Sequence, residues 1–191
     1  MEEADQQSIA GVNCDITLTL IRENIALLAE LLDQLRRLDD GLFARECADF
    51  GAGQTIGRHC RHICDHYDAL LRSIDSEGLG SSLRVDYDER ARCLDTEQHR
   101  SHCIRRLEGY ERLLKRLSRF DAEYPVHLSA DVHIGSTGRV AMLSSLGREL
   151  AFLASHTTHH CALVAVLLQS QSHEPAWELG RAAATRLHEG A

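Results

Sequence analysis

Proline is nearly missing from this chain. Only Pro125 and Pro175 occur among 191 residues, and both lie outside the long segments of helical period, so nothing breaks a helix elsewhere. Aromatic residues make up 5%, which leaves a core built mainly from Leu, Ala, Ile and Val. A basic surplus is lacking too: 21 Lys and Arg stand against 29 Asp and Glu, a net charge of -8. Phosphate backbones are held by basic surfaces, so a general nucleic-acid binder is not expected. No unbroken apolar run approaches the roughly 20 residues that span a bilayer. The opening stretch MEEADQQSIAG is acidic and polar, unlike a signal peptide. Seven cysteines are an odd number, in a chain too long to need disulfide staples. Free thiols in a reducing cytoplasm are the expectation, with no membrane as a partner.

What is present is ordinary in bulk and unusual in one residue. Hydrophobic residues are 43% and charged residues 26%, as in soluble globular proteins. The length suits one domain with a sizeable core. Histidine, at twelve residues, is in excess and falls largely into two clusters.

Four helical segments follow from apolar periodicity. The first covers about Asp15 to Asp39, with Thr17, Ile21, Asn24, Leu28, Leu31 and Leu35 on one face. Asp15 is the expected N-cap, and Asp39-Asp40-Gly41 the stop. The second runs from Thr55 to about Ser76, with Ile56, Cys60, Ile63, Tyr67, Leu70 and Ile74 as its stripe. A polar connection is expected from Glu77 to Leu94. The third runs from about Asp95 to Phe120, with His99, Cys103, Leu107, Tyr110, Leu114 and Leu117 aligned. From Pro125 to Leu143 the period shortens, and Gly135-Ser136-Thr137-Gly138 supplies a turn, which reads as a short β-hairpin. The fourth helix starts near Ser144-Ser145 and continues to about Gln169. The tail after Gln171 is a loop with a short helical end. The fold class is therefore all-α, a four-helix bundle with a hairpin between helices three and four. It forms a single domain over 1–191, with its core at about 15–170 and its tail at 171–191.

The chemistry lies on the second and fourth helices. His156 and His160 are four apart, so both imidazoles share one helix face and can reach one ion. Leu146, Glu149, Leu153, His156, His160, Leu163 and Leu167 form a single stripe, which sets two histidines and a carboxylate toward the core. A buried polar group is costly without a partner, and a metal is the simplest common one. His59, His62 and His66, in GRHCRHICDHY, occupy one flank of the second helix. One of them would complete three neutral nitrogen ligands, leaving positions for water or substrate. His59 and His66 lie nearer the apolar stripe than His62, so geometry alone does not choose among the three. Asn24 is a polar interruption of the first helix, read either as a water-bridged site contact or as a polar residue on a frayed face. Arg90 and Arg92 read as partners for nearby acids or as a clamp for a carboxylate. Cys60, Cys64, Cys103 and Cys161 read as small core residues.

TIGRHCRHICDHY, followed by SSLGRELAFLASHTTHHCALV, resembles the DinB-like (YfiT-like) metal-binding superfamily over roughly residues 15–170. The resemblance implies a four-helix bundle with one ligating histidine on the second helix and an HxxxH pair on the fourth. The ligands would be His62, His156 and His160. His59 stays open as the alternative to His62, because this chain has histidines on either side of that position. Members with known activity are mostly metal-dependent enzymes acting with low-molecular-weight thiols. That implies one divalent transition metal (Zn, Ni or Fe) and a metal-activated thiol or water, in an S-transferase or hydrolase reaction. Glu149 is the candidate general base. The expected partners are a small-molecule substrate, a low-molecular-weight thiol among them, and a second copy in a homodimer. The rival reading is a metal-binding or structural bundle without catalysis.

Overall fold

The computed structural model describes residues 2–75, 82–133 and 137–189. It is predominantly helical, with a small three-stranded sheet. The four long helices are α1 (Glu2–Arg36), α3 (Ile56–Asp75), α5 (Arg100–Lys115) and α6 (Leu146–Ser170). The short helices are α2 (Asp40–Ala44), α4 (Leu94–Gln98) and α7 (Ala183–Glu189). The strands are β1 (Leu83–Asp86), β2 (Pro125–His133) and β3 (Thr137–Ser145). Of the sequence assignments, the ends at Ser76 and Glu77 and the turn residues Gly135 and Ser136 lie outside the described residues.

The predicted stripes are buried where hydrophobic burial requires them. Thr17, Ile21, Asn24, Leu28, Leu31 and Leu35 are all buried on α1, as are Ile56, Cys60, Ile63, Tyr67, Leu70 and Ile74 on α3. The helix ends differ from expectation. Asp15 is not a cap, because α1 continues to Glu2 through a stretch with no proline to stop it. The Asp39-Asp40-Gly41 stop is instead a restart: the Asp39 carboxylate accepts from the Leu42 amide at 2.7 Å and caps α2. The third predicted helix is two helices. His99 adopts an extended conformation (φ -119, ψ 105) at the end of α4. It is exposed rather than aligned with Cys103. Residues Arg116–Arg119 finish this region as a 3-10 turn. At the start of α3, the Thr55 hydroxyl accepts from the Arg58 amide at 2.9 Å. A Cβ on Gly57 would stand 1.9 Å from the Glu97 carbonyl oxygen, so only glycine admits that close approach.

The hairpin is longer than the sequence suggested, and it gains a strand. β2 pairs with β3 antiparallel from Pro125↔Ser145 to His133↔Thr137. β1, within the stretch expected to be a polar connection, pairs with β2 parallel from Leu83↔Val126 to Asp86↔Ser129. Leu83, Val85 and Val126 are its buried side chains.

The chain groups into two compact units. Unit 1 comprises Met1–Ile25, Asp65–Ala91 and Glu111–Leu153, and so holds the sheet. Unit 2 comprises Ala26–Cys64, Arg92–Tyr110 and Ala154–Ala191. The boundaries fall inside α1, α3, α5 and α6, each of which is continuous across its boundary. By length and composition α6 is also long and apolar enough to cross a membrane, with a hydropathy of 1.4. That property is shared by core helices, and Leu146, Leu150, Leu153, Val164 and Leu168 of α6 are buried.

Unit 1 is tied by Asn24. Its side-chain amide donates to the carbonyls of Leu20 (2.8 Å) and Leu150 (3.0 Å), and its oxygen accepts from the Tyr67 hydroxyl at 2.7 Å. One fully buried side chain thus joins α1, α3 and α6. Asn24 is a structural clamp, not a residue on a frayed face. Asn24→Ala removes the Tyr67 hydroxyl's acceptor and both carbonyl contacts, and is expected to cost about 1–3 kcal/mol. Tyr67→Phe, which keeps the ring, should cost about 1 kcal/mol. Denaturant unfolding of both variants measures this, and an Asn24→Ala variant as stable as wild type would remove the clamp.

Candidate metal centre

Within unit 2, α3 and α6 bring their histidines together. The ring centroids of His62 and His156 are 4.9 Å apart, those of His62 and His160 4.5 Å, and those of His156 and His160 4.5 Å. The three histidine rings named from sequence therefore lie side by side, and all three are half-buried. The spacing explains it: four residues on α6 advance about one turn, so both rings project from one face toward α3.

His66 lies one turn beyond His62 on α3, within unit 1. One ring nitrogen from each of His62, His66 and His156 can be chosen so that all lie within 4.8 Å of one another, a group that could hold a metal ion. His62 and His156 are thus common to the sequence-named rings and to this group, whose third member is His66; His160 is not in it. The donors are neutral imidazoles, borderline ligands that suit Zn, Ni and Fe among divalent ions.

His59, the alternative second-helix ligand, has another task in this geometry. Its Nδ1 lies 3.0 Å from Nδ1 of His160, one ring donating and the other accepting. A ligating histidine is held in one tautomer by the bond its other nitrogen makes. The His59 bond occupies Nδ1 of His160. Burial, and then the Arg58 charge, lower the His59 pKa below its usual value. His159 is exposed.

Glu149 is fully buried in unit 1. Its carboxylate accepts from the Tyr87 hydroxyl at 2.7 Å and from the Ser144 hydroxyl at 2.5 Å, with the Arg148 guanidinium at 3.4 Å. Burial, then the negative charge of Glu149 and the hydrogen bond to it, raise the Tyr87 pKa, so Tyr87 remains a neutral donor. The Tyr87 ring stacks on His66 at 5.2 Å between centroids, and Phe152 packs against both. Glu149 therefore connects to His66 through Tyr87. Sequence periodicity gave no sign of Tyr87 or Ser144. Both are set by the sheet, Tyr87 directly after β1 and Ser144 at the end of β3. Arg92 is exposed, with φ 47, and Arg90 is half-buried.

Comparison with protein-family models, with curated proteins and with solved structures gives no match.

Two outcomes follow. Tag-free protein should retain about one divalent ion per chain. His62→Ala and His156→Ala should each abolish tight binding, while His66→Ala and His160→Ala, compared by metal analysis, identify the third ligand. Protein that stays metal-free after incubation with Zn, Ni and Fe in turn rejects the site. Acid should also weaken the apo fold through His59. The unfolded chain takes up that proton near pH 6.5 and the folded chain only at lower pH. Between the two the unfolded state binds more protons, so stability falls as pH falls. His59→Asn should flatten that part of the stability profile, and an unchanged profile rules the contribution out.

Proposed function

We propose that this protein is a cytoplasmic metal-dependent enzyme of the DinB-like type, a four-helix bundle whose ion activates a low-molecular-weight thiol or a water. The observation that carries the proposal is the His62, His66 and His156 group that could hold an ion, with the His160 ring packed against His62 and His156. Three neutral nitrogen ligands leave coordination positions open, which is the arrangement of catalytic rather than closed structural sites. When bound, the ion would lower the pKa of a coordinated thiol or water and supply a nucleophile at neutral pH.

The residues of the chain do the rest. His59 holds His160 in its ligating tautomer. With no carboxylate in the histidine group, the ion's charge stays uncompensated and favours an anionic additional ligand. Glu149 is the base proposed to receive the proton, with Tyr87 and Ser144 fixing its two oxygens. Tyr87 also aligns His66 by stacking on it. Thiol transfer to an electrophile and hydrolysis of an ester or amide both need this set.

Glu149→Gln should keep its metal and lose turnover by about 100-fold or more, the scale of a general base. The assay offers several low-molecular-weight thiols with an electrophilic acceptor and, separately, an ester and an amide. Full activity in the variant takes Glu149 out of the mechanism. A metal-loaded wild type inert toward all of them favours a binding protein without catalysis.

A further inference from the structure

A cavity of about 400 Å³ lies within unit 1. Ala69, Arg72 and Ser73 line it from α3, and Arg84, Asp86 and Glu89 from β1 and the turn that follows. Spacing explains the gathering. Residues three and four apart share a helix face, and alternate residues of a strand share a side. Arg84 and Asp86 therefore lie on one side of β1, while Leu83 and Val85 are buried on the other. The walls are tied together. Arg72 donates from Nε to the Asp68 carbonyl at 3.3 Å and from Nη2 to the Glu89 carbonyl at 2.7 Å. Oδ1 of Asp86 accepts from the Asp88 and Glu89 amides at 2.9 and 3.0 Å, and its Oδ2 is paired with the Arg139 guanidinium.

The charges around the cavity do not balance. Arg139 neutralises Asp86. Among the described residues, no carboxylate forms an ion pair with Arg72 or Arg84. Two guanidiniums without a carboxylate partner thus line one cavity, in a chain whose net charge is -8. We propose that this cavity binds a small α-amino acid through its carboxylate. Guanidiniums receive planar carboxylates as forks. Nε and Nη2 of Arg72 serve backbone carbonyls, so its Nη1 is the nitrogen offered to a ligand, while Arg84 offers its whole fork. Asp86 and Glu89 on the same wall repel a dianion such as phosphate, and they favour a carboxylate that stands beside an ammonium. The volume suits a small molecule, whose sites span roughly 300–1,000 Å³. The cavity is built from unit 1 alone and uses none of the histidines, so the proposal goes beyond the metal-dependent reading and needs no ion.

The test is nuclear magnetic resonance on isotope-labelled, full-length protein. The probes are L-alanine, N-acetyl-L-alanine, which lacks the ammonium, L-alaninamide, which lacks the carboxylate, and inorganic phosphate. L-alanine should shift the amides of Ala69, Arg72, Ser73 and Glu89 saturably, and equally in metal-free and zinc-loaded protein. Each other probe should bind at least about tenfold more weakly, the scale of one lost hydrogen bond to a charged group. Arg84→Gln should weaken L-alanine by the same factor. Arg84 is exposed on β1, and the shifts mapped on wild type keep the question decidable if the variant folds poorly. No saturable shift with L-alanine, shifts centred on the histidines, another probe binding as tightly, or undiminished binding by Arg84→Gln would overturn the proposal.

Discussion

An imidazole withdrawn from water keeps two nitrogens that must both be engaged. That requirement shapes the region where α3 meets α6 in unit 2. One proton shared between His59 and His160 satisfies one nitrogen on each ring. A neutral ring is essential to the arrangement, because several charged imidazoles at centroid separations of 4.5–4.9 Å would repel. Burial of His59 works in that direction by disfavouring its charged form. A divalent ion held by this group would extend the same logic, engaging several nitrogens at once and requiring every one of them unprotonated.

Much of this was legible in the sequence because helices repeat. The α1 and α3 stripes, the start of α6 and the HxxxH pair all follow from a period near 3.6; the α1 and α3 stripes are buried throughout, while His156, His160 and Leu163 of the α6 stripe are half-buried. The hairpin was legible from alternation and its turn signal over all but the last two residues of β3. Cap positions were less readable. Asp15 and Asp39 are equally good N-cap residues by type, but only Asp39 is followed by a chain turn that needs a cap. The break at His99 was hidden because the apolar spacing continues in step on both sides of it. β1 was hidden because a four-residue strand shows only two alternations, Leu83 and Val85 against Arg84 and Asp86.

The candidate site divides in the same way. Helical spacing names His156 and His160, and it identifies a flank containing His59, His62 and His66. It does not rank that flank, because rotation about the α3 axis depends on neighbours that a single helix does not encode. The wheel set His59 and His66 nearer the apolar stripe, and His66 is indeed buried while His59 and His62 are half-buried. Burial is nevertheless a poor guide to ligation here: half-buried His62 belongs to the group that could hold an ion. Tyr87 and Ser144 lay beyond reach for a different reason. They meet Glu149 through strand pairing, across 62 and five residues respectively, and no local period encodes a contact of that kind.

The segment RHCRHICDHY places two chemistries on one helix by interleaving two sets of i, i+4 positions. His62 and His66 repeat at four residues, and so do Cys60 and Cys64. The two sets are offset by two residues, about 200° around the helix. The offset sets the imidazoles and the thiols on opposite sides of α3, where Cys60 and Cys64 are fully buried and His62 is half-buried. One amphipathic helix thereby separates two kinds of donor by side-chain periodicity alone.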